Sequence, residues 1–183
     1  MVSVSSFVRS FGCVAFSGSR HLGSSASVSC RAFLPVLGGF SGSVSVGCAS
    51  GVDSLVRSAF PSASVFSVSS FLVGGRVSRA SFAKRSAALV QSCAASGGLL
   101  VAFPLGACPA AVRVSSTFGG SGSGTWGSVA LAVGLGCSVL VVVPSGAFPA
   151  PPALASCFRF VGVAPCGGAL WLSVPAPVQL SLF

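Results

Sequence analysis

Four short apolar stretches, each closing on small residues, punctuate the chain: FGCVAFSGSR (11–20), SVSVGCASG (43–51), SGGLLVAFP (96–104) and GCSVLVVVPSG (136–146). A fifth, ASVFSV (63–68), is weaker. None alternates strictly between apolar and polar residues, which is the pattern of strands covered on both faces and so of a parallel sheet. Segments of helical length lie between or beside them, at 24–38, 52–60, 80–95 and 125–135. In 80–95, Phe82, Leu89, Val90 and Cys93 gather on one side of a helix while Lys84, Arg85 and Gln91 fall elsewhere, so both cations are expected on an exposed face. Pro35 is expected to end or kink the first helix. Strands alternating with helices predict an α/β fold, a modified Rossmann-like parallel sheet flanked by helices on both faces.

After Pro144 the texture changes. The sequence reads as a Rossmann-like domain over 1–146, a Pro-rich connector with candidate edge strands FRFVGV (158–163) and ALWLSV (169–174) over 147–174, and an extended tail over 175–183. No internal repeat interrupts this order.

Composition changes the picture in one respect. The chain has no Glu, Asn, Ile or Tyr, and one each of Lys, Met, His and Asp. The missing and rare residues share adenine-rich codons, so the skew reads as a nucleotide bias of the source rather than a physical adaptation. Residues that persist against it (His21, Asp53, Lys84, Gln91, Thr117, Thr125 and Gln179) become the better candidates for function. The net charge of +9 comes from ten scattered cations with one opposing carboxylate, not from the dense basic patch of a nucleic-acid footprint.

A mean hydropathy of +0.95 invites a membrane reading. The longest apolar run, 129–144, is interrupted by Gly134, Gly136 and Ser138 and falls short of the roughly 20 residues a spanning helix needs. It reads instead as a buried helix feeding a buried strand. Arg9 sits inside the apolar N-terminus and no cleavage site follows, which argues against a signal peptide. The expectation is a cytoplasmic chain without a membrane partner. The eight cysteines show no CxxC spacing and a lone His21 cannot complete a zinc set, so no metal or other cofactor is expected. Cys13, Cys48, Cys93 and Cys137 are read as small hydrophobes.

Ligands of open parallel α/β sheets bind at the carboxyl ends of the strands. Three small, polar loops are expected there: SGSR (17–20), GCASGVD (47–53) and GGSGSGTWGS (119–128). Backbone amides at helix N-termini, with no side chain blocking approach, attract anions. The candidate ligand-binding residues are therefore Gly18, Ser19, Arg20, Gly47, Ser50, Gly51, Asp53, Ser123, Gly124 and Thr125. Arg20 is the expected phosphate partner, because a planar guanidinium matches phosphate oxygens. Asp53 opens a helix, where it can cap amides, but serine would do that as well. As the only carboxylate it is assigned to a ligand, for example a ribose hydroxyl. His21 is expected to be solvated. A GxGxxG is absent after the first strand, which disfavours ordinary nicotinamide-dependent enzymes.

FSGSR, VGCASGVDSLVRSAF, AFP and GSGTWGSVALAVGLGCSVLVVVPSG, taken in order, resemble the SLOG superfamily over roughly residues 11–146. That group includes the DNA-processing protein A family, the lonely-guy phosphoribohydrolases and YspA-like proteins. GCASGVD resembles its G-x-A-x-G-x-D motif. The resemblance implies a modified Rossmann fold that binds nucleotides or nucleotide-derived ligands. The phosphoribohydrolase motif PGGxGTxxE ends in a catalytic Glu, and here Ser128 stands in its place. Glycosidic acid–base chemistry usually takes paired carboxylates. A binding module is thus favoured over an enzyme, and no catalytic residue is assigned.

Two alternatives accompany that reading. One is a DNA-metabolism accessory protein that resembles the DNA-processing protein A family and handles single-stranded DNA. The other is a weak nucleotide hydrolase acting through Asp53. The last residues, QLSLF, resemble the peptide by which bacterial replication and repair proteins dock on the β sliding clamp, with Gln179 hydrogen-bonding and Leu180, Leu182 and Phe183 supplying apolar contacts.

Overall fold

The first apolar run folds as β1 (Cys13–Gly18), the second as β2 (Ser43–Gly47), the weak fifth as β3 (Ser64–Phe66), and the others as β4 (Leu99–Phe103) and β5 (Ser138–Val143). The computed structural model describes residues 3–21, 23–119, 122–144 and 148–175. These five strands are parallel, in the spatial order β3-β2-β1-β4-β5. Two later strands extend the same sheet: β7 (Ala169–Ser173) pairs antiparallel with β5, and β6 (Arg159–Val163) pairs antiparallel with β7 and forms the edge. The molecule is thus an α/β Rossmann-like fold built on a seven-stranded, mostly parallel sheet flanked by helices.

Helices precede and connect the strands. They are α1 (Val4–Arg9), α2 (Ser25–Phe33), α3 (Val52–Ala59), α4 (Arg79–Ala95), α5 (Gly124–Gly134) and the short α6 (Pro152–Ala155). The segment 24–38 does not run as one helix. It passes into a 3-10 turn at Leu34–Leu37 with Pro35 in its first turn, since proline lacks the amide an α-helix needs. The Pro-rich connector contains α6, with Pro152 at its start, where a proline suits a helix. Serines start several helices. Ser24, Ser78 and Ser123 accept from the amides of Ser27, Ser81 and Trp126 at 3.3, 3.3 and 3.4 Å. Ser81 reciprocates to the Ser78 amide at 3.2 Å, completing a capping box for α4.

Side chains alternate across the sheet and divide the core in two. Val14, Phe16, Leu99, Val101 and Phe103 face α2 and α3, joined there by Phe33, Val52 and Val56. Ala15, Leu100 and Ala102 face α4 and α5, joined by Leu89, Val90, Cys93, Trp126 and Val129. On the first face Phe103 stacks on Phe16 (6.5 Å between ring centroids) and meets Phe33 edge-on at 5.7 Å, pairings that contribute about 0.5–1.5 kcal/mol each beyond area. The run 129–144 folds as most of α5 followed by β5. Among the described residues no helix is long and apolar enough to cross a membrane.

The order of strands decides where a ligand can enter. From β1 the chain moves outward through β2 and β3, then returns by α4 to β4 on the other side of β1. The loops after β1 and β4 therefore diverge and leave a crevice at their carboxyl ends.

Candidate ligand-binding site

That crevice is a cavity of about 820 Å³. Its floor is the end of β1, from Phe16 to Gly18, continued by Ser19, Arg20 and His21. One wall is α4, from Ser78 and Arg79 at its N-terminus through Phe82 and Arg85 to Leu89. The opposite wall is the loop after β4 (Leu105–Ala107) and the start of α5 (Ser123–Trp126). The indole Nε1 of Trp126 donates to the Gly106 carbonyl at 2.9 Å and fixes this second wall.

Of the ten residues expected to bind ligand, seven line the cavity: Gly18, Ser19, Arg20, Asp53, Ser123, Gly124 and Thr125. Gly47, Ser50 and Gly51 do not; they support the lining. The Ser50 hydroxyl donates to the Arg20 carbonyl at 2.6 Å, and the Val52 amide donates to the Ser19 carbonyl at 3.0 Å. These bonds stitch the loop before α3 to the loop after β1. Gly51 allows it, with φ +71° and ψ −130°, a conformation almost confined to glycine, and with no side chain to meet the Ser19 carbonyl oxygen and the Arg20 backbone. A Cβ on Gly18 would come within 2.5 Å of Val52, so that glycine lets α3 lie close on β1. Gly18 and Gly51 are thus required by packing, whereas a Cβ on Gly124 would meet nothing within 4 Å.

The expectation for Arg85 is overturned. It does not lie on an exposed face; it is buried at 9% exposure, with Lys84 alone left in solvent. Its Nη1 donates to Asp53 Oδ2 at 2.9 Å, in an ion pair whose two side chains are 10% and 6% exposed. Asp53 Oδ2 also accepts from the Ala49 amide at 3.1 Å. Asp53 is thus tied to the loop before its helix and to α4, and does not cap α3, whose N-cap is Gly51. Gly47 lies against this pair; a Cβ there would overlap Arg85 Nη1 and Asp53 Oδ2. Arg57 completes the arrangement by donating to the carbonyls of Gly47 (2.6 Å) and Ala49 (3.0 Å). The signal for Arg85 was present in the sequence. It follows Phe82 by three residues and precedes Leu89 by four, so it falls on the apolar face of α4.

Burial pushes the Asp53 carboxyl above its ordinary 3.8, while the Arg85 guanidinium and the Ala49 amide pull it back. The folded state therefore holds this proton more readily than the unfolded chain, and the group's contribution to stability falls as pH rises from 3.8 through the raised value. No second Asp or Glu side chain exists to titrate in acid. We expect this one side chain to carry the carboxyl-dependent change of stability in acid, so Asp53→Asn should remove that pH dependence from the unfolding curves.

Among the described residues the other arginines at the cavity, Arg20 and Arg79, have no acidic partner. Arg20 is exposed and stacks over the Phe82 ring at 5.0 Å. Arg79 and His21 are exposed at the rim. Because Arg85 already neutralises the single carboxylate, the net field of the crevice is positive. The α5 N-terminus adds to it. Thr125 is buried there, whereas the Ser128 hydroxyl turns away and donates to its own helix at the Gly124 carbonyl, 3.0 Å. Among the described residues no group of three or more His, Cys or Asp side chains converges on a point where a metal would sit. Cys13, Cys93 and Cys137 are buried, and Cys48 is partly exposed, with its sulfur accepting from the Val68 amide at 3.1 Å. The tail residues Gln179, Leu180, Leu182 and Phe183 lie outside the described residues. Compared with protein-family models, curated proteins and solved structures, the chain matches none.

Proposed function

We propose that this protein binds a nucleotide or nucleotide-derived phosphorylated ligand in the crevice between β1 and β4, as its resemblance to the SLOG superfamily implies. The observation that carries the reading is a cavity large enough for a nucleotide whose only carboxylate is neutralised, while Arg20, Arg79 and a helix N-terminus leave it electropositive. The aromatic and aliphatic lining (Phe82, Leu89, Leu105, Phe118 and Trp126) suits a base, and the polar end suits a phosphate. Asp53 Oδ2 is shared between Arg85 and Ala49, which leaves its other carboxylate oxygen to accept from a ligand hydroxyl. The same engagement argues against acid–base chemistry through Asp53, so binding without turnover is the function put forward.

Mass spectrometry of small molecules that co-purify with the native protein tests the reading. A phosphorylated nucleoside derivative is expected. Arg20→Ala should weaken its binding by roughly 1.5–3 kcal/mol, the range of a charge-assisted hydrogen bond. Calorimetric titration checks this, and undiminished affinity would remove Arg20 from the site.

A second reading, single-stranded DNA handling with docking to the β sliding clamp and a cytoplasmic location, draws support from the Arg20–Phe82 stack and the exposed Arg79 at the same cavity, a cation and aromatic grouping of the sort that tracks a strand. Its tail component is tested with a 175–183 peptide and a bacterial clamp. Saturable binding that is lost on Gln179→Ala supports it; no binding at millimolar peptide removes it.

A further inference from the structure

Arg85 carries a bonding capacity that the fold leaves unused. Its Nη1 is engaged by Asp53 at 2.9 Å. Its Nε is buried and has no hydrogen-bond partner, and its Nη2 has none among the described residues. Nε–H and the adjacent Nη2–H run parallel along one edge of the guanidinium plane, the edge that grips carboxylates and phosphates in two bonds. A buried N–H without an acceptor is costly, and native structures leave few of them unexplained. Here the unpaired edge belongs to a side chain nine-tenths buried that lines the crevice.

We propose that Arg85 is the inner anion receptor of the crevice: an oxyanion of the ligand, a phosphate or a ligand carboxylate, takes the Nε–Nη2 edge, and Asp53 is the positioning residue that holds the opposite corner of the guanidinium. This rests on the reading of the crevice as a site for phosphorylated ligands and adds which group meets the anion at depth. Arg20, exposed at the rim and resting on Phe82, then serves as the outer cation, so the two arginines bracket a ligand from the mouth and from the wall. Gly47 belongs to the same device. A side chain there would displace the guanidinium corner that Asp53 holds, so the glycine preserves the receptor's orientation rather than contacting ligand. Arg57, whose fork is already spent on the Gly47 and Ala49 carbonyls, is excluded from the role.

The test uses the full chain with AMP and with inorganic phosphate as probes. Arg85→Lys keeps a cation for Asp53 but lacks the two-bond edge. It should weaken AMP binding by about tenfold or more while leaving a cooperative unfolding transition. The direct readout is the 15Nε–1H resonance of Arg85 in the parent protein, which should shift and exchange more slowly with water on saturation with either probe. A parent that binds AMP while its Arg85 Nε–H resonance stays unmoved, or a folded Arg85→Lys protein that binds AMP as tightly as the parent, would overturn the receptor but leave the crevice reading standing. A parent that binds neither probe would overturn both.

Discussion

Replacing Asp53 with Ala will destabilise the protein by about 3–5 kcal/mol, the cost of leaving one member of a buried ion pair without its partner. The geometry makes this severe. Arg85 is 9% exposed, its Nη1 has Asp53 as its protein partner, and its Nε is already without one. Removing the carboxylate also frees the Ala49 amide and loosens the loop that Arg57 holds from the other side. Equilibrium unfolding in urea checks the size of the effect. The double replacement Asp53→Leu with Arg85→Met should recover most of the loss, because apolar groups of similar volume can substitute for a buried pair at little or no cost. A recovered fold with abolished nucleotide binding would separate the two roles of the pair, scaffold and receptor. If Asp53→Ala unfolds within about 1 kcal/mol of the parent, the pair is not the structural anchor described above.

The second large effect is expected at Gly51→Ala, at roughly 2–4 kcal/mol, combining backbone strain with overpacking. At φ +71° and ψ −130° an L side chain is strained whatever the space, and here the space is taken by the Ser19 carbonyl oxygen and the Arg20 backbone, whose carbonyl carbon would lie 2.6 Å away. The damage should extend beyond stability. Moving Gly51 breaks the Val52–Ser19 and Ser50–Arg20 bonds that set the loop after β1, so Arg20 loses its position over Phe82. Gly51→Ala is therefore expected to weaken AMP binding even at temperatures where the variant is folded. Gly12→Ala is the control, since a Cβ there meets nothing within 4 Å.

The fold was legible because its signals are long and repeated. Four apolar runs with small-residue ends and a weaker fifth announce parallel strands, and each strand forms within the run that marks it. α1 and α6 escaped notice because six and four residues give no periodicity to detect. The candidate loops were legible too, since any strand followed by a small-residue turn delivers that turn to the sheet's carboxyl edge. What the chain order hides is which glycine faces space and which faces a neighbour. Gly51 and Gly47 read as open approach to a ligand, yet the first receives the Ser19 carbonyl and the second receives Arg85. For Arg85 the charge outweighed a spacing that puts it on the apolar face of α4. A cation on a helix is ordinarily solvated, and only a carboxylate 32 residues earlier in the chain makes its burial affordable. Asp53 gives no local sign of the pairing either, because its partner comes from a separate helix.

Calorimetric titration of the native protein with AMP, adenosine and a single-stranded oligonucleotide, at one salt concentration, tests the central claim most directly. The positive crevice with its two arginines predicts saturable one-to-one binding of AMP, adenosine weaker by about tenfold or more for want of the phosphate, and displacement of AMP by inorganic phosphate. Binding of adenosine as tight as that of AMP, or binding of the oligonucleotide alone, would contradict it.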